Sequence, residues 1–142
     1  DLLNDRVKNV DFDWDRALDF EGDSGPHVQY SGVRCASLMR KYGKPIAQDF
    51  KAALTSIEEA ELMRCLLNYQ DSLKNAFDNF KPHILAAYLL EVCHRFGQFY
   101  NKCRILGEAP EVESSRMTLV QMTYTVIKQG LRTLNIQLPE AM

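Results

Sequence analysis

Two pairs of residues have the types and the spacing for recognition chemistry. Tyr30 stands four residues before Arg34, and Tyr100 four before Arg104. Residues four apart share a face of a helix, so each pair would set an aromatic ring beside a guanidinium. That combination suits an unpaired nucleobase, which is held by stacking on rings or guanidinium planes and by hydrogen bonds to its edges. The same pairs also match a core-edge tyrosine next to a solvated arginine, since aromatic side chains more often serve packing.

Catalytic patterns are largely missing. The chain has no Gly-rich phosphate loop, no Gly-x-Ser-x-Gly elbow and no His-Glu-x-x-His. His27, His83 and His94 are scattered along it. Glu58, Glu59 and Glu61 fall near the start of a predicted helix, where the macrodipole favours acids. The stretch "DFDWDRALDFEGD" lacks the glycine at the sixth position and the closing glutamate at the twelfth that a calcium loop needs. It reads as a solvated connector with Phe12, Trp14, Leu18 and Phe20 as docking side chains. Cys35, Cys65, Cys93 and Cys103 form no Cys-x-x-Cys pair and lie in helical patterns, as reduced thiols of a cytosolic core do. The neighbours Cys93 and His94 point about 100° apart on a helix and do not converge on a metal.

Charge narrows the partner. Net charge is −2 (17 basic, 19 acidic), so a polyanion must be met by a local patch. Residues 1–23 hold eight acids against three bases, and residues 81–142 seven bases against five acids. No apolar run approaches the ~20 residues of a membrane span, and no signal peptide is recognisable. With 142 residues, 46% of them apolar, one compact core is expected. The start at Asp1 instead of Met suggests a piece of a longer protein or a processed one.

The elements that must carry these side chains are all helical. One helix is predicted over about Val28–Tyr42, closed by Gly43 and Lys44-Pro45. Thr55 with Glu58 forms a capping box for the next. The stripe Leu62, Leu66, Tyr69, Leu73, Phe77, Phe80 follows, with a break near Gln70-Asp71 and Asp71 as N-cap. Pro82 opens a long helix with the stripe Leu85, Leu89, Val92, Phe96, Phe99 or Tyr100, and Cys103, ending near Lys102. After the breakers Gly107 and Pro110, Ser114 or Ser115 caps a last helix, apolar over more than half its girth and therefore central. The expected fold is an all-α bundle of four to five helices, with residues 1–26 as connector and 27–142 as bundle.

Three blocks carry a resemblance. "FDWDRALDFEGDSGPHVQYSGVRCASLMRK" contains Gly-Pro-x-x-Gln-Tyr-x-x-x-Arg, "KPHILAAYLLEVCHRFGQFYNKCRILGE" contains Pro-x-x-x-x-x-Tyr-Leu and Phe-x-x-Phe-Tyr, and "RMTLVQMTYTVIKQGLRTLNIQLPEAM" closes on Pro-Glu-x-Met. In order and spacing they resemble the C-terminal, DALR-type anticodon-binding domain of arginyl-tRNA synthetases. The resemblance implies a tRNA-binding bundle appended to a class I catalytic domain that uses ATP and Mg to charge arginine tRNA. Neither the HIGH-type nor the KMSKS-type motif occurs in this chain, so it is expected to bind tRNA without aminoacylating it and to hold no cofactor of its own.

Carried over by motif, Tyr30, Arg34, Tyr100, Arg104 and Met142 are the implied anticodon-binding residues. Gln29 and Tyr88 are possible support. Tyr100 and Met142 would wall a splayed base while Arg34 meets a base edge or phosphate. Most arginine codons share a central G, which makes the middle anticodon base C. The implied partners are arginine tRNA and the catalytic domain of the same chain, in a cytoplasmic monomer with no membrane contact. The alternatives are a helical protein–protein interaction module, or the equivalent domain of another class I synthetase. One departure stands out: the family usually reads Ala-His-Ala-Arg-Ile after Gln-Tyr, whereas this chain has Ser31-Gly32-Val33-Arg34-Cys35. A glycine inside a helix implies close approach by a neighbouring backbone or a local kink.

Overall fold

The computed structural model describes residues 13–19, 22–46 and 53–142; Phe12 and Phe20 lie outside them. The elements are α1 (Trp14–Ala17), α2 (Gly25–Tyr42), α3 (Ile57–Leu67), α4 (Tyr69–Asp78), α5 (Pro82–Lys102) and α6 (Pro110–Thr133). The fold is all-α: among the described residues, five helices of at least 10 residues form the bundle, preceded by the single turn α1. Trp14 is 70% exposed and Leu18 is exposed too.

Local chemistry sets the helix ends, and it moves several from their expected positions. α2 starts at Gly25, one turn earlier than predicted, because the Ser24 hydroxyl accepts the His27 N–H and Pro26 fits the first turn. At its other end Gly43 takes φ 62° and donates its N–H to the Met39 carbonyl, the expected left-handed cap. The capping box of α3 is Ser56 with Glu59, not Thr55 with Glu58. Both pairs have the spacing three that the motif requires. Burial selects between them: only this register places Glu59 where its second oxygen meets Arg116 of α6.

The α3–α4 break falls at Asn68, three residues before the predicted Asp71 cap. Tyr88 of α5 explains the shift, since its hydroxyl donates to the Cys65 carbonyl at 3.0 Å and takes up an acceptor left over at the end of α3. Burial first, then neighbouring Cys65 and Tyr69, pushes that hydroxyl above the usual tyrosine range, so it remains a donor. Phe77 (75% exposed) and Phe80 (84%) leave the predicted stripe and face solvent, while Leu62 and Leu66 are buried. α6 begins at Pro110, which supplies its first turn, so Ser114 and Ser115 lie inside the helix instead of capping it.

The core behaves as the periodicity requires. Leu85, Leu89, Val92, Phe96 and Phe99 of α5 and Leu119, Val120, Ile127 and Leu131 of α6 are buried together with Cys35 and Leu38 of α2. Gly130 lets α6 close on α5: a Cβ there would stand 2.5 Å from a Leu89 methyl. Cys35 and Cys93 sit in this core. Burial raises both thiols, Cys93 to about 12, which keeps them protonated at neutral pH. No helix among the described residues is long and apolar enough to cross a membrane.

An ion pair between Arg116 and Glu59 crosses the core. Arg116 donates through Nε to Glu59 Oε1 (2.5 Å), through Nη1 to the Arg104 carbonyl (2.6 Å) and through Nη2 to Thr55 Oγ1 (3.1 Å). The other Glu59 oxygen accepts the N–H groups of Thr55 (2.6 Å) and Ser56 (2.8 Å). The pair thereby ties the start of α3 to α6 and to the turn after α5.

Candidate nucleic-acid interface

Tyr30 and Arg34 stand one turn apart on α2, on a flank left open by the burial of Val28, Cys35 and Leu38. Arg34 Nη2 donates to the Tyr30 hydroxyl at 3.2 Å, and its Cζ lies 5.0 Å from the Tyr30 ring centroid. The packing of α2 on α5 brings a second ring to the same guanidinium: Tyr100 lies 4.3 Å from Arg34 Cζ. Behind it Tyr100 leans on the buried Phe96, centroids 6.0 Å apart and planes at 52°. Arg34 is thus held between two rings, one of them backed by the core.

This cluster corrects the expected pairing. Tyr100 faces Arg34 from another helix, not Arg104 from its own. α5 ends at Lys102 and Cys103 is extended (φ −111°, ψ 126°), so residue 104 has left the helix and the shared-face argument fails there. Arg104 is exposed and folds onto its own turn, with Nε donating to the Leu106 carbonyl at 3.2 Å and the guanidinium lying over Gly107. Met142 is 54% exposed. Gln29 donates its amide to the Gln137 carbonyl at 2.8 Å, and Tyr88 closes α3 as described.

The remaining surprise is Gly32. The close approach is made by side chains, not by backbone: an added Cβ would stand 2.7 Å from Leu138 Cδ1 and 3.2 Å from Ile127 Cγ2. The tail after α6 therefore lies against α2. Nothing in the local pattern of "NIQLPEAM" signals that contact, because it joins residues more than a hundred positions apart.

Chemically, the cluster offers flat apolar faces and one fixed cation. A guanidinium has five N–H donors; Arg34 gives one to the Tyr30 hydroxyl, and the others can meet a phosphate or a base. Bundles of this shape are found in aminoacyl-tRNA synthetases. The chain superposes on the Thermus thermophilus arginyl-tRNA synthetase with TM-score 0.90 and 32% identity, covering 99% of this chain and 25% of that one. For the Plasmodium falciparum arginyl-tRNA synthetase the TM-score is 0.86 at 28% identity, covering 100% of this chain and 25% of that one.

Residues 28–142 match the DALR anticodon binding domain, and the chain belongs to that family. It is 37% identical over 142 residues to an arginine–tRNA ligase of Streptococcus thermophilus (100% of this chain, 25% of the relative). A Clostridium botulinum arginine–tRNA ligase is 39% identical over 142 residues, at 99% of this chain and 25% of the relative. The chain spans about a quarter of the length of the curated relatives it matches.

Proposed function

We propose that the chain is the C-terminal anticodon-binding domain of an arginine–tRNA ligase and that it reads the anticodon loop of arginine tRNA, with C as the middle base. The observation that carries this reading is the guanidinium of Arg34 set between Tyr30 and Tyr100. Base stacking on the Tyr100 side and edge or phosphate contacts from Arg34 supply affinity on a chain with no excess of positive charge. A pocket for one pyrimidine can use neutral backbone groups for the rest. Met142 adds an apolar wall and Arg104 an outer cation, while Gln29 and Tyr88 hold the helices in place.

In this reading residues 1–26 lead in from a catalytic domain of the same parent chain, where ATP and Mg act. Residues 27–142 make the bundle, and the parent works in the cytoplasm as a monomer. Titrating the chain with arginine tRNA and with the same tRNA altered at the middle anticodon base tests the proposal. A preference of at least about tenfold for the unaltered tRNA is expected of a site built to hydrogen-bond one base. Equal affinity for both, insensitive to salt, would instead favour a protein-interaction module.

A further inference from the structure

We infer that the apolar groove at the end of α4 is the docking surface for the domain that precedes this chain in its parent; the inference rests on the reading above that the chain is one domain of an arginine–tRNA ligase. Leu73 and Phe77 of α4, Phe80 of the turn, Pro82 and Leu85 of α5 and Leu134 after α6 line a groove of about 330 Å³. Two rings form its lip: Phe77 and Phe80 are 75% and 84% exposed, with centroids 6.4 Å apart. Apolar groups gathered beside a groove mark an interaction surface, as singly exposed ones do not.

The backbone gives a second, independent sign. The turn after α4 is closed by the Phe80 N–H on the Phe77 carbonyl (3.1 Å) and the Lys81 N–H on the Ala76 carbonyl (2.9 Å). That double closure sets Phe80 in the left-handed region, at φ 54°. Glycine takes this position without strain, as Gly43 does at the end of α2. A phenylalanine there costs conformational energy, and its exposed ring recovers little of it by packing within this chain. Burial of the ring by a partner accounts for its place.

Placement and size select the occupant. His27 lies by His94 (ring centroids 5.7 Å apart) and Arg34 by Tyr100 (4.3 Å), so α2 and α5 run in the same sense. The N-terminus of α2 therefore faces the groove end of the bundle. Along α5, Leu85 is about 22 Å from Tyr100 at 1.5 Å per residue, so a docked domain leaves the RNA cluster open. Two rings offer about 300–500 Å² of surface, less than the ~800 Å² per partner of a stable contact between free proteins. A second copy of the chain is thereby disfavoured. A domain tethered to the same chain needs less area, because the link holds it at high effective concentration. The relatives supply such a domain, since this chain covers 25% of their length.

Hydroxyl-radical labelling of Phe77 and Phe80, in the chain alone and in the full-length parent, tests the inference. Both rings are expected to label at least about fivefold more slowly in the parent, as rings drawn into a desolvated interface do. Phe77→Ser with Phe80→Gly removes both rings and the left-handed strain. In the parent this pair should raise amide exchange of α4 to its rate in the isolated chain, and in the isolated chain it should leave affinity for the anticodon stem-loop unchanged. Equal labelling in chain and parent overturns the docking, and so does α4 exchange that stays slow in the variant parent. Protection that disappears on dilution of the parent assigns the groove to a second copy, and protection of the isolated chain by tRNA assigns it to RNA; either overturns the occupant. A parent that does not charge arginine tRNA overturns the ligase reading, while labelling still decides whether its preceding domain covers the groove.

Discussion

Replacing Arg116 with leucine is expected to destabilise the bundle by about 3–5 kcal/mol, because it leaves the Glu59 carboxylate buried without its counter-charge. In a domain of this size that is a fall in melting temperature of about 10–20 °C. The loss is larger than for a surface pair because Glu59 is fully buried and Arg116 nearly so. It also has structural reach: the same guanidinium holds the Arg104 carbonyl and the Thr55 hydroxyl, so α3, α6 and the turn after α5 loosen together. Thermal or urea denaturation checks the size of the effect, and a shift within that of an ordinary surface substitution, about 0.5 kcal/mol, would refute it.

The pair also predicts a pH dependence of stability. Burial alone would raise the Glu59 carboxyl, but the Arg116 hydrogen bond and the Thr55 and Ser56 N–H groups outweigh it and hold it below the ordinary glutamate value. Between an unfolded value of about 4.3 and that lower folded value, the unfolded chain binds more protons than the folded one. The contribution is therefore fully present above about pH 4.3 and is lost as pH falls through the folded pKa. Glu59→Gln is expected to be less stable at pH 7, with a shallower decline on acidification. A decline as steep as that of the unaltered chain would remove Glu59 from the account.

Tyr100→Ala is expected to weaken binding of the arginine anticodon stem-loop by about 1–3 kcal/mol, the worth of one base stack. That is roughly a 5- to 150-fold rise in Kd. Phe96 and Arg34 both contact the ring, and they separate its roles. Phe96 behind it belongs to the core, so the variant's fold is checked first by circular dichroism. Arg34 in front of it loses one of its two flanking rings. Tyr100→Phe keeps the face of the ring and should keep most of the affinity. Arg34→Lys should not substitute well, since an ammonium lacks the plane that stacks. Unchanged affinity in a folded Tyr100→Ala chain would take the base stack away from this residue.

How far the sequence reaches can be judged residue by residue. The stripe of α5 was legible because five buried side chains repeat at helical spacing within one element. Gly43 was legible because a left-handed cap is a local demand that glycine meets without strain. Ser56 was not separable from Thr55, since both stand three residues before a glutamate. Phe77 and Phe80 had the right spacing for the core, yet they face solvent, because spacing gives a shared face and not what lies opposite it.

The candidate site divides along the same line. By itself the sequence determined the helical class, the long apolar face of α5, the Tyr30–Arg34 pair and the motifs of a tRNA-binding family, all consequences of short-range order along the chain. Tertiary structure alone decided that Tyr100 joins Arg34 and not Arg104, that Arg116 reaches Glu59 across 57 residues, and that Leu138 fills the notch at Gly32. Each of those contacts joins distant segments whose separate patterns are compatible with many partners. Only the packing of the helices fixes which partner is met.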